Sequence, residues 1–158
     1  MEQSINSTAD SEIKAETPIL SAVNETFGLR NVNPNEYSPL SLAFIGDSVF
    51  DVVIKSIMVE HGNCQVNKLQ NRTSKIVRAT SQALIADALK EVLTEEEANI
   101  LRRGRNAKPY TKAKNASYSE YCKATGLEAL VGYLYLKNDI VRLVELIKIG
   151  LEKTELMP

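Results

Sequence analysis

Two acidic side chains stand inside strongly apolar stretches: Asp47 in LAFIGDSVFDVVI and Glu128 in GLEALVGYLYL. An ionised carboxylate in such surroundings is costly unless it is paired, hydrogen-bonded or bound to a metal ion. Small residues flank both acids. Gly46 precedes Asp47, while Ala124 and Gly132 lie one helical turn before and after Glu128. A glycine within a helix costs about 1 kcal/mol relative to alanine, so these positions leave room for an ion, a ligand or another helix. The pattern is open to two readings. The acids could share a metal ion, or each could sit in a structural ion pair. Asp47, Asp51 and Lys55 fall at i, i+4 and i+8, which allows an exposed stripe with an Asp51–Lys55 pair. Glu128 is equally open to a basic partner from another helix.

A second chemical feature is charge. The 158 residues carry 19 Lys plus Arg against 20 Asp plus Glu, a net charge of −1 that points to no particular partner. The balance is local, however: residues 68–114 hold eleven basic and five acidic side chains. Within them, 102–114 reads RRGRNAKPYTKAK, six basic residues and no acid. Positive charge beside Gly, Pro and Thr suits a loop that follows a phosphate backbone, and it also suits a plain solvated loop. Cys64 and Cys122 form no C-x-x-C pair and His61 is the single histidine, which argues against a disulfide scaffold and a zinc site. His61 reads as a helix-end or surface residue. No apolar run reaches the ~18 residues of a membrane span, and MEQSINSTAD has no signal-peptide core.

The elements that must position these groups read as helices throughout, so the expected fold class is all-α with one core. Residues 1–36 mix Ser, Asn, Thr and Glu and read as a flexible or loosely packed extension, with a short helix near Pro18–Phe27. The core domain is expected over 37–153, leaving 154–158 as a tail. Ser38-Pro39 is an N-cap followed by proline at the first helical position. It opens a helix to about His61 that is apolar almost all round, hence central. Further helices are expected from Val66–Lys68, over Ser74–Val92, from the capping box Thr94–Glu97 to Arg103 with Gly104 as its stop, from the capping box Ser117–Glu120 to Leu136, and over Asp139–Leu151.

These motifs carry a resemblance. LAFIGDSVFDVVI resembles the ribonuclease III signature, E-F-L-G-D-S, and ATGLEALVGYLYL resembles that family's second motif, D-x-x-E-A-L-I-G. RRGRNAK, followed by Thr111, Lys114 and Asn115, is similar to a feature of the Mini-ribonuclease III subgroup. The matches occur in family order over roughly Ser38–Leu151. Two positions depart from the pattern: Ala43 and Thr125 stand where the motifs have acids. Of the four acids typical of full-length ribonuclease III, Asp47 and Glu128 remain, as in the subgroup.

The resemblance implies a single ribonuclease III-type endonuclease domain. Its implied activity is Mg²⁺-dependent cleavage of double-stranded RNA by a homodimer, giving 5′-phosphate and 3′-hydroxyl ends. Asp47 and Glu128 are the implied catalytic and metal-binding residues, with Mg²⁺ as cofactor and waters and the RNA phosphate completing its shell. Little chain follows the last helix before Pro158, so RNA binding is expected to fall to the nuclease domain itself, through Arg103, Arg105, Asn106, Lys108, Lys112 and Lys114. Asp51 is a candidate supporting acid. The subgroup's role implies cytoplasmic maturation of the ends of 23S ribosomal RNA precursor, with a ribosomal protein as a possible helper. The rival expectation is a non-catalytic RNA-binding or ribosome-assembly module on the same fold, with the acids at Ala43 and Thr125 lost.

Overall fold

The computed structural model describes residues 18–107 and 116–158. Every regular element among them is helical. By contact the chain divides into a unit ending at Asn31 and a unit of Val32–Pro158. The described part of the first contains helix α1, Ile19–Phe27, which Gly28 closes in a left-handed conformation at φ 61°.

In the second unit a short 3₁₀ turn, Pro34–Glu36, precedes α2, Pro39–Glu60. Ser38 caps α2 as its sequence predicts, its Oγ accepting from the Ser41 amide at 3.1 Å. Helices α3 (Val66–Val77), α4 (Ala79–Leu89), α5 (Glu95–Asn106), α6 (Tyr118–Leu136) and α7 (Ile140–Lys153) follow. Both expected capping boxes form: Thr94 with Glu97 at the start of α5, and Ser117 with Glu120 at the start of α6.

Helix α6 is the axis of this unit. Ten successive positions from Thr125 to Leu134 are buried except Glu128, which is half-buried. Helices α2, α4 and α5 pack around it, and α7 covers α4. The core joins Leu42, Phe50 and Ile54 of α2, Ile85 and Leu89 of α4, Leu127 and Leu130 of α6, and Leu143 and Ile147 of α7.

Three sequence expectations are corrected. The long helix expected over Ser74–Val92 is two helices broken at Arg78, whose backbone is extended at φ −66° and ψ 153°. Neither glycine nor proline marks the break. Side-chain bonds hold it, with Arg78 Nε donating to Ser81 Oγ and Ser81 Oγ donating to the Lys75 carbonyl. Gly104 does not end α5, which runs on to Asn106. And α2 is less enclosed than its composition suggests: Phe44, Val52 and Val59 are exposed.

Candidate active site

The site is made where α2 and α6 cross backbone to backbone. A Cβ on Gly46 would lie 1.7 Å from the Glu128 carbonyl oxygen, and one on Gly132 would lie 1.9 Å from the Leu42 carbonyl oxygen. No side chain fits at either place, so both glycines are required by the approach of the helices. The small residues beside the two acids therefore make room for a second helix, one of the uses their spacing left open. Asp47 follows the crossing glycine of α2, and Glu128 is itself a crossing residue of α6.

Exposed Asp47 and half-buried Glu128 consequently line one open cleft of about 240 Å³. Ala43, Phe44, Tyr121 and Thr125 also line it. The two positions at which the motifs lack an acid thus face the same space as the two acids that remain. Thr125 is buried and its Oγ1 donates to the Tyr121 carbonyl at 3.0 Å, an ordinary backbone bond within α6.

The electrostatics of the pair are unbalanced. Burial, and then the nearby negative charge of Asp47, push the Glu128 carboxyl up to about 8, so at neutral pH it is mostly protonated. The Gln82 side chain lies against Glu128 and works in the opposite direction, favouring the charged form. Among the described residues no Lys, Arg or His forms an ion pair with Asp47 or Glu128. Asp51 behaves differently: its carboxylate meets Lys55 Nζ at 2.8 Å, the ion pair its spacing allows.

The donor set fits a hard divalent cation. Two carboxylates that repel each other beside an open cleft gain from a shared positive charge, and Mg²⁺ accepts few protein ligands because it keeps several waters. No group of three or more His, Cys, Asp or Glu with metal-binding geometry occurs among the described residues, so water and substrate oxygens would have to complete the shell.

The basic residues expected to bind RNA fall in two sets. Arg103 and Arg105 are half-buried and Asn106 is exposed, all on the last turn of α5 rather than in a loop. Lys108, Lys112 and Lys114 lie outside the described residues. The end of α5 is fixed to α6 by a second close crossing. A Cβ on Gly126 would lie 2.7 Å from the Leu101 carbonyl oxygen and 3.2 Å from the Arg105 amide nitrogen, and one on Gly104 would lie 2.7 Å from Ala129 Cβ. The Arg105 backbone is thereby packed against Gly126, which lies two residues before Glu128.

Two features escaped the reading of the sequence. Lys68, Arg72 and Lys75 form an exposed basic stripe on α3 at i, i+4 and i+7, a spacing visible in the sequence once the helix is placed. Gln82 is buried against the site; its signal is the helical spacing it shares with Ile85, Ala86 and Leu89 of the core.

Comparison with known proteins shows the family to which this helical domain belongs. The ribonuclease III domain profile matches residues 40–139. Mini-ribonuclease 3 of Symbiobacterium thermophilum is 42% identical over 120 residues, spanning 76% of this chain and 92% of that protein. Mini-ribonuclease 3 of Clostridium tetani is 41% identical over 115 residues, spanning 72% and 76%. A crystal structure of a Fusobacterium nucleatum protein superposes with a TM-score of 0.68 at 29% identity, covering 74% of this chain and 90% of that one. The chain belongs to the ribonuclease III family and, within it, to the Mini-ribonuclease 3 group. It is therefore an endoribonuclease.

Proposed function

We propose that this protein is an Mg²⁺-dependent endonuclease of double-stranded RNA, in which Asp47 and Glu128 hold the metal ion. The observation that carries this reading is the shared cleft of these two acids at the α2–α6 crossing, with no cationic partner for either among the described residues. When bound, the ion neutralises charge on the scissile phosphate and activates the attacking water.

The chain's own groups divide the remaining work. Asp47 and Glu128 supply fixed carboxylate oxygens at a rigid helix crossing. Arg103, Arg105 and Asn106, together with Lys108, Lys112 and Lys114, grip phosphates and ribose hydroxyls and set the register of the duplex. The products carry a 5′ phosphate and a 3′ hydroxyl. RNA shape then decides where cleavage falls, because such contacts carry little sequence information.

Two further elements belong to this proposal. The protein acts as a homodimer, each site cutting one strand. Phe44, 82% exposed on the rim of the cleft, and Val52, 59% exposed on the same helix, support that reading as apolar surface a second copy would cover. Its substrate is the duplexed end of 23S ribosomal RNA precursor, processed in the cytoplasm.

The test is incubation of the purified protein with a long, fully paired RNA, with Mg²⁺ or with EDTA. Cleavage that needs the metal, and that falls on the order of 10³-fold in Asp47→Asn while duplex binding persists, is the expected result. Tight duplex binding without cleavage would instead support a non-catalytic RNA-binding module, and the replacement of acids by Ala43 and Thr125 would explain it.

A further inference from the structure

Gln82 is 2% exposed, on the face of α4 that packs into the core. Among the described residues its Nε2 is the one buried side-chain nitrogen or oxygen without a hydrogen-bond partner of acceptable geometry. An unsatisfied buried amide is unfavourable, so its presence in a well-packed core calls for a reason. The group beside it is the Glu128 carboxyl, whose charged form it favours. Gln82 is buried and does not line the cleft, whereas Asp47 and Glu128 both do.

We infer that Gln82 is a positioning residue of the nuclease site: its side-chain amide donates to the Glu128 carboxylate and holds it on the cleft beside Asp47. The inference rests on the reading of Asp47 and Glu128 as the metal-binding pair. The chemistry of the amide suits the task. It is a donor without a charge, so it supports a buried carboxylate without neutralising it, as lysine or arginine would do in competition with a cation. Carboxylates that ligate metals are commonly held by such outer hydrogen bonds. A site with two acids in place of four depends more heavily on the placement of each.

The experiment is a titration of the full-length protein with Mn²⁺ in the absence of RNA, following free Mn²⁺ by electron paramagnetic resonance. It compares wild type, Asp47→Asn, Gln82→Met and Gln82→Leu. Both Gln82 variants remove the donor and differ in shape. The expected result is Mn²⁺ binding about ten- to a hundredfold weaker in both, with metal-free thermal stability equal to or above that of wild type, since an unsatisfied polar group has been removed. A merely structural glutamine predicts the reverse, a lowered melting temperature with unchanged Mn²⁺ affinity, and that outcome overturns the inference. If Asp47→Asn abolishes Mn²⁺ binding while the Gln82 variants bind like wild type, the positioning role fails and the metal pair stands. If Asp47→Asn also binds like wild type, the metal pair itself fails.

A second measurement needs no folded variant. Mg²⁺ should move the buried Gln82 side-chain amide proton downfield in the wild-type spectrum, among the signals of only four glutamines. An amide that stays in place while Mg²⁺ binds overturns the role.

Discussion

Two glutamates in this domain meet burial in opposite ways. Glu97, on α5, is 5% exposed, and both its carboxylate oxygens accept from Arg142, Oε2 from Nε and Oε1 from Nη2, each at 2.9 Å. Oε1 also accepts from the Thr94 amide at 2.8 Å, closing the capping box. Its carboxyl is held below the ordinary range, with the Arg142 bond the largest cause. Glu128, on α6, is pushed up to about 8 by burial and by a second acid. One is a finished structural joint and the other is a site left open. A carboxylate whose compensation is missing from its own chain is the one to suspect of binding something else.

Breaking the finished joint should have the largest effect on stability. Arg142→Met leaves Glu97 buried without its cation and frees the Val92 carbonyl, which accepts from Arg142 at 2.9 Å. The expected loss is about 2–4 kcal/mol at pH 7, read from urea unfolding. Because the Glu97 pKa is lowered in the fold, that contribution is present above the ordinary carboxylate pKa and fades as pH falls through the folded value. Cleavage per folded molecule should be unchanged. A variant as stable as wild type would show that the pair adds nothing.

Closing the open site should have a smaller effect of opposite sign. The Glu128 pKa is raised in the fold, so its protonated form is favoured there. The wild-type protein without metal therefore loses stability as pH rises from about 4.5, the ordinary value, to about 8. Glu128→Gln removes this dependence. In EDTA at pH 8–9 it should be more stable than wild type by about 1–2 kcal/mol, with the difference gone at pH 4. Thermal unfolding across pH checks this, and a variant less stable at pH 9 would sink the description of Glu128 as electrostatically strained.

Legibility in the sequence follows the same division. Asp47 and Glu128 both stand out as acids in apolar runs, although the fold buries only Glu128 in part and leaves Asp47 exposed; the caps at Ser38, Thr94 and Ser117 are local signals that survive in the fold. What could not be read depends on partners distant along the chain. Arg142 and Glu97 are 45 residues apart, and nothing local marks them as a pair. Gly104 looks like a helix stop because a C-terminal glycine and a glycine needed for close packing are the same residue; only the approach of α6, through Thr125, Gly126 and Ala129, distinguishes them. The break at Arg78 rests on side-chain bonds that composition does not announce. Gln82 was hidden for a related reason, since a single polar residue among apolar ones in a helix is usually read as facing solvent.

The central claim, that Asp47 and Glu128 form a carboxylate pair awaiting a shared cation, is tested most directly by following the Glu128 side-chain carboxyl by carbon-13 NMR as pH is varied. Without metal it should titrate near 8, shift downward in Asp47→Asn, and become ionised at neutral pH when Mg²⁺ is added. Titration near the ordinary glutamate value, unmoved by Asp47→Asn or by Mg²⁺, would contradict the account.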